Sequence, residues 1–337
     1  MIICKMPDRQ DAITIEYNNV RTFHSLSDLP EDAAGFIVSP FDANEAFPVF
    51  LFEGLEIKTF DYNRYLTASL RKKEMEVFSD YAIYERAFNI VKEAINTHKA
   101  DKIVLSRSAR TLTPVDNAFA LFSRACKSNP HCYVALIEIP GHDTWLIATP
   151  ELLYKAKGHK GKTTALAGTM HWSDIADGQH WSEKNKQEQQ VVVSYIENRL
   201  TGNKIKFQKE PLHYTRAGEI AHLQTDFTIH NSDSISDVRV IKALHPTPAV
   251  AGIPLQIARE TIKEAEGENF RQYYAGFSGF LRHPGYDTEC YVSLRLAHIA
   301  SDNTATLYAG GGIMPQSVVA DEWKETSLKL NTIISLL

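Results

Sequence analysis

Cysteine is scarce. Cys4, Cys126, Cys132 and Cys290 are the only four in 337 residues, and none forms a C-x-x-C pair. That usage argues against a zinc site and for reduced, packing thiols in a cytoplasm, although Cys126 and Cys132 are near enough in sequence to pair. An excess of basic charge is also lacking. Lys and Arg number 36 against 41 Asp and Glu, a formal net charge of -5, with no long basic run. Nucleic acid is therefore not an expected partner. No stretch approaches the roughly 18 apolar residues that a membrane helix needs, and residues 1–10 have no apolar, signal-like centre. The thirteen histidines show no H-E-x-x-H spacing, and there is neither a G-x-S-x-G elbow nor a G-x-x-x-x-G-K-[ST] phosphate loop. What remains, 44% hydrophobic and 23% charged, is a globular chain long enough for one large domain or two ordinary ones.

The segment Tyr308-Ala309-Gly310-Gly311-Gly312-Ile313 stands out. Adjacent glycines leave backbone N–H groups open to an anion. Ten residues on, Glu322 and Glu325 stand at i, i+3, one face of a helix. Carboxylates beside an anion cradle repel the anion unless a hard cation such as Mg²⁺ lies between them. The alternative is a tight turn before a solvated helix.

Periodicity and turn signals organise the rest. Residues 1–75 look like strands and loops. Asp80 can cap a helix to about residue 98, burying Ile83, Ala87, Ile90, Val91, Ala94 and Ile95. A strand over 102–107 follows, then a helix opened by Thr113-Pro114-Val115-Asp116 and reaching about residue 127. Runs 132–139 and 144–148 flank Pro140-Gly141 as a hairpin, with further strands at 152–157 and 163–166. A long helix over 182–200 meets Gly202; a strand covers 220–229. Ser236 or Asp237 opens a helix ending before Pro246, and Pro254 begins another that ends near Gly267. Strands at 276–281, 290–299 and 304–309 precede a last helix at 321–336. Grouped strands with helices between the groups predict α+β layers rather than βαβ alternation.

Several residues could carry chemistry. Lys102 opens a β-branched strand; it is either a snorkelling surface residue or a desolvated base. Glu151 follows Thr149-Pro150; in an apolar pocket its pKa would rise and it could protonate a leaving hydroxyl. Gly168 is a bend or a place where a ligand lies against backbone. Glu188 lies on a largely solvated helix and as a metal ligand would need a second carboxylate, for which Glu325 is the natural partner. Arg295, read within a strand, suits a bidentate carboxylate contact or a structural ion pair. Lys329, four residues after Glu325, shares its helix face. The proline-spaced run 244–254 is stiff enough to wall a site, with His245 read as structural.

In order, these segments resemble the chorismate-utilising enzyme family, the enzymes that open menaquinone, siderophore and tryptophan synthesis. The matching stretches include Lys-Ile-Val-Leu-Ser-Arg (102–107), Thr-Pro-Glu-Leu-Leu (149–153), Leu-Ala-Gly-Thr (166–169), the Glu-Lys-…-Glu helix (183–188) and His-Leu-Gln-Thr (222–225). They continue with Leu-His-Pro-Thr-Pro-Ala-Val-Ala-Gly (244–252), Tyr-Ala-Gly-Phe-Ser-Gly (274–279), Ser-Leu-Arg (293–295), Ala-Gly-Gly-Gly-Ile (309–313) and Glu-Trp-Lys-Glu-Thr (322–326). The resemblance is strongest over 80–337 and less typical over 1–79.

The resemblance implies one chorismate-binding domain over 1–337, an α+β (α/β sandwich) of two large antiparallel sheets with peripheral helices, acting on chorismate with Mg²⁺. Members that add water carry a lysine where Lys102 stands; ammonia-using members usually carry glutamine there. Aminodeoxychorismate synthases usually have a lysine where Ala167 stands. Lys102 with Ala167 therefore looks like an isochorismate synthase, with salicylate synthase as the alternative and anthranilate or aminodeoxychorismate synthase component I, or a non-catalytic binding protein, less supported. By the same carry-over Lys102 is the base, Glu151 the acid, and Glu188 and Glu325 the Mg²⁺ ligands, with Glu322 nearby or acting through water. Tyr274 and Arg295 resemble partners of the enolpyruvyl carboxylate; Gly168, Thr169, Gly310, Lys329 and His222 resemble further substrate contacts. Asn185 and Gln189 depart from the aspartate and histidine common in the family. A cytoplasmic monomer or weak dimer without an amidotransferase subunit is expected, feeding menaquinone or a siderophore.

Overall fold

The computed structural model describes every residue except 67–75, 113, 116, 177, 179, 218, 219 and 231–234, with backbone alone at Thr169, Ala176, Ala217 and Ile220. Two ten-stranded sheets and seven α-helices make up the described residues, and every strand pairing among them is antiparallel. One sheet runs, in spatial order, Gly252–Ile253, Lys102–Thr111, Ala305–Ile313, Leu296–Ile299, Thr144–Thr149, Tyr133–Glu138, Ile2–Lys5, Ala12–Glu16 and Glu56–Phe60, with Val77–Phe78 beside Lys102–Thr111. The other runs Phe207–Lys209, Ile220–His230, Lys160–His171, Leu152–Lys157, Asp287–Val292, Phe277–His283, Gly35–Ser39, Val49–Glu53 and Asn19–Phe23, with His213–Ala217 beside Ile220–His230. This is the α+β layering that the grouped strand runs predict.

The first sheet is buried on both faces. Along Tyr133–Glu138, residues Tyr133, Ala135 and Ile137 enter a large core shared with the second sheet. Val134 and Leu136 join a second core under the helices Ala118–Ser128 and Val319–Ile334. Period-two alternation delivers one side chain to each core, which is why the run is apolar throughout rather than alternating.

The helix Tyr81–Asn96 begins where Asp80 accepts hydrogen bonds from the N–H groups of Ala82 (2.8 Å) and Ile83 (3.2 Å). Its buried stripe is Tyr84, Ala87, Phe88, Val91, Ala94 and Ile95, while Ile83 is 56% exposed. The expected aliphatic stripe is thus rotated, because two aromatic rings bury more apolar area than the isoleucines they displace. The next helix, Ala118–Ser128, is capped by Asn117, later than expected; Thr113 and Asp116 lie outside the described residues.

Two expectations need larger correction. The alternative reading of residues 310–312 as a tight turn fails: they lie inside the strand Ala305–Ile313, in register with Ser106, Leu105 and Val104. The expected strand 290–299 is two strands in different sheets, Asp287–Val292 and Leu296–Ile299. Arg295 sits at the break, in the left-handed region at φ 49°. Pro150-Glu151 is a similar passage, from Thr144–Thr149 in the first sheet to Leu152–Lys157 in the second. Backbone hydrogen bonds from Val292 N–H to the Glu151 carbonyl (2.9 Å) and from Ala148 N–H to the Arg295 carbonyl (3.1 Å) lock the two passages side by side.

Candidate active site

A cavity of about 180 Å³ lies beside these passages. Its lining includes Lys102, Glu151, Gly168, Glu188, His222, Tyr274, Arg295, Gly310, Glu325 and Lys329, ten of the twelve residues singled out in the sequence. Ala249 and Val250 of the proline-spaced run also line it, so the stiff connector does form a wall. Of the other two, Glu322 lies behind the lining, and the side chain of Thr169 is outside the described residues.

Lys102 opens the strand Lys102–Thr111 and is 2% exposed, so the snorkelling alternative fails. Its ammonium donates to Glu188 Oε1 at 2.8 Å. The glycines explain how so long a side chain fits. A Cβ at Gly312 would lie 2.7 Å from Lys102 Cε and 3.1 Å from Glu188 Oε1. One at Gly311 would lie 3.1 Å from Glu322 Oε2, and one at Gly310 2.9 Å from the Tyr274 hydroxyl. The triple glycine is a bare strip of strand over which four functional side chains pass, a use of glycine that its backbone freedom does not require.

Glu151 is half-buried, and its open side faces the cavity that it lines. Burial pushes its carboxyl up to about 7; Lys102, Lys329 and the Thr247 hydroxyl pull the other way without cancelling it. The group can therefore hold a proton at neutral pH. Burial also raises Glu188, but the ammonium groups of Lys102, Lys329 and Lys184 outweigh it and hold its carboxyl below the usual range. Lys329 donates to Glu325 Oε1 and to the Gly310 carbonyl, each at 2.9 Å, and its charge keeps Glu325 low. Glu322 is raised by burial, accepts from Ser317 Oγ at 2.6 Å and lies 3.5 Å from Lys184.

His222 Nδ1 lies 3.1 Å from the Gly168 carbonyl, where only an N–H can make the contact. Burial lowers its pKa to about 4, so the ring is neutral at physiological pH. Gly168 supplies that carbonyl from a β-bulge at φ 69°, between Ala167 and Thr169. The Tyr274 ring stacks on Tyr308 at 5.4 Å. Lys184 and Tyr308 line the cavity and escaped the sequence reading; Lys184 stands one helical turn before Glu188, a spacing that could have flagged it.

Whether these residues suit a divalent cation follows from their donor types. Glu188 and Glu325 offer hard carboxylate oxygens to the cavity, and both stay ionised. Among the described residues no three metal-ligating side chains cluster. Mg²⁺ commonly takes one or two protein carboxylates, with substrate oxygens and water completing its shell. The donor set therefore fits Mg²⁺ held jointly with an anionic substrate, and Glu322 fits a supporting place behind it.

The family described as "Chorismate binding enzyme" matches residues 56–337. Isochorismate synthase MenF of Escherichia coli K12 is 32% identical over 266 residues, 75% of this chain and 60% of that protein. This chain thus spans somewhat under two thirds of that relative's length. Isochorismate synthase MenF of Haemophilus influenzae is 30% identical over 319 residues, covering 91% of this chain and 72% of that protein. The solved menaquinone-specific isochorismate synthase MenF of Escherichia coli superposes with a TM-score of 0.80 at 25% identity, covering 100% of this chain and 88% of that one. The family match takes in every residue of the cavity lining. The chain belongs to the chorismate binding enzyme family.

Proposed function

We propose that the chain is an isochorismate synthase, converting chorismate to isochorismate by adding water at C2 and expelling the hydroxyl at C4. The observation that carries this reading is one cavity lined by both Lys102 and Glu151, with Glu151 raised to about 7. Lys102, in its uncharged amine form, takes a proton from the attacking water and becomes the ammonium that pairs with Glu188. Glu151 delivers its proton to the departing hydroxyl, which leaves as water while the ring double bonds shift. Water is gained and lost once each, so the reaction is an isomerisation. Arg295 and the Tyr274 hydroxyl hold the enolpyruvyl carboxylate, and His222, neutral, offers a hydrogen-bonding edge without adding charge. Glu188 and Glu325, with Glu322 in support, would hold Mg²⁺, which when bound would neutralise and fix the ring carboxylate. Gly168, Thr169, Gly310 and Lys329 complete the substrate contacts.

Two relatives named isochorismate synthase support this branch over ammonia-using ones, as does Lys102. On this reading residues 1–337 act as one domain, in the cytoplasm, as a monomer or weak dimer without an amidotransferase subunit. No helix among the described residues is long and apolar enough to cross a membrane. The product feeds menaquinone or a catechol siderophore. The test is incubation with chorismate and Mg²⁺ and chromatography of the products. Accumulated isochorismate supports the reading; salicylate with pyruvate replaces it with salicylate synthase; ammonia-dependent anthranilate overturns it.

A further inference from the structure

Resting on the chorismate reading, we propose that the substrate dianion reaches the cavity through a second mouth, drawn along a row of lysines on the hairpin Leu152–Lys157/Lys160–His171. The inner cavity borders a second space on the side away from the carboxylate-bearing helices. It shares Pro150, Glu151, Leu166, His222 and Arg295 with an outer groove of about 1070 Å³. Arg295, at the passage between sheets, lines both spaces, so an ion crossing from the groove to the cavity passes its guanidinium.

The two approaches differ in charge. On the helix side, Glu188 and Glu325 are interleaved with Lys184 and Lys329, and the Glu325 carboxylate is as open to solvent as the Lys329 it pairs with. On the groove side, Lys155 pairs with Glu289 and Lys162 with Asp226, each at 2.9 Å. There the partners are layered. The lysine side chains are 52% and 49% exposed, the carboxylates 10% each. An approaching ion meets ammonium groups, with the negative charges beneath them.

The register reinforces this. Lys155 lies directly across from Lys162, and Lys157 across from Lys160. Like charges opposite each other on neighbouring strands repel; Glu289 and Asp226 offset the first pair, and Lys157 with Lys160 adds further positive charge at the hairpin end. Period two puts Lys155 and Lys157 on one face, making a cationic track from hairpin tip to groove. Arg216, stacked on Trp172 at 4.6 Å, lines the same groove. A cleft walled by one sign of charge concentrates oppositely charged solutes and speeds their capture, and the effect fades with salt. A dicarboxylate following the track arrives at Arg295, the side chain read above as its carboxylate partner.

The test is steady-state kinetics with chorismate across ionic strength. Lys155→Glu/Lys162→Glu should lower kcat/KM about 10-fold at low salt, with kcat nearly unchanged, and the gap should close at high salt. Lys155→Gln/Lys162→Gln, which adds no repulsion against Glu289 and Asp226, should fall between the two. Lys99→Glu/Lys204→Glu, equal in charge change and exposed elsewhere, should match wild type. Wild-type kcat/KM and salt dependence in the Lys155/Lys162 variants would overturn the inference, as would a loss confined to kcat. Wild-type enzyme that converts no chorismate at all would sink the activity reading and this inference with it, whereas normal wild-type turnover with unaffected variants removes only the inference.

Discussion

Glu151→Gln keeps the shape of the side chain and removes its exchangeable proton. If Glu151 is the general acid, turnover should fall by about 10²–10⁴-fold, roughly 3–5 kcal/mol in the barrier. The wild-type pH profile should change as well. Burial raises this carboxyl from 4.5 to about 7, so kcat/KM should decline as pH climbs past about 7 and the acid loses its proton. That limb should be missing from the residual activity of the variant. The same burial has a consequence for stability. Between its ordinary value and about 7, the folded chain keeps a proton at Glu151 that the unfolded chain has released. Stability contributed by that proton is full below the unfolded value and is lost as pH rises through the folded one. The loss is complete above about 7 and amounts to roughly 3 kcal/mol. Glutamine carries no such charge, so Glu151→Gln should be nearly neutral for unfolding at pH 4.5 and stabilising by roughly 2–3 kcal/mol at pH 8. Urea unfolding at both pH values, beside kcat/KM, measures the two effects separately. A variant whose stability tracks wild type at every pH would refute the desolvated carboxyl, and unchanged turnover would refute the acid.

Gly312→Ala should separate activity from folding in the other direction. Its Cβ would meet flexible ends, Lys102 Cε at 2.7 Å and Glu188 Oε1 at 3.1 Å, so stability should change by only about 1 kcal/mol while displacement of the base costs about 10²-fold in kcat. Glu325→Gln should raise the Mg²⁺ concentration for half-maximal activity by about 10-fold or more, and an unshifted titration removes it from the metal site. Lys102→Met should lower kcat by about 10²–10⁴-fold with chorismate binding retained in calorimetry; normal turnover would assign the base elsewhere.

The local elements were largely legible because their signals are local. Asp80, Ser182 and Ser236 each cap the helix that their sequence position marks. The hairpin around Pro140-Gly141 pairs Thr144 with Glu138, as its turn signal implies. The candidate residues also converged on one cavity, since the resemblance supplied as a set what no residue supplied alone. The triple glycine marked the site, but not the use made of it: the space the glycines leave is filled from the strand's flank by Lys102 and Glu188, residues 210 and 124 positions earlier. Nothing near position 312 carries that information.

The break at Arg295 was hidden for a deeper reason. Residues 290–299 have continuous strand propensity, and only the pairing partners reveal that the first part joins one sheet and the last part the other. The same holds at Pro150-Glu151. A chain leaving one sheet for another abandons its ladder for two or three residues, and side chains there are no longer forced to alternate between two packed faces. Two such passages, hydrogen-bonded to each other, bring a carboxyl and a guanidinium to the same gap without requiring either to be buried in a core. Lys102 reaches that gap from two strands along the first sheet, across the glycines of Ala305–Ile313, and the acidic helices flank it from the side. Placing the chemistry where the sheets exchange strands also sets it beside the outer groove, which shares Glu151 and Arg295 with the cavity. The carboxylate-bearing helices flank the cavity on one side and the outer groove flanks it at Arg295 on the other, the arrangement that the proposed route of entry uses.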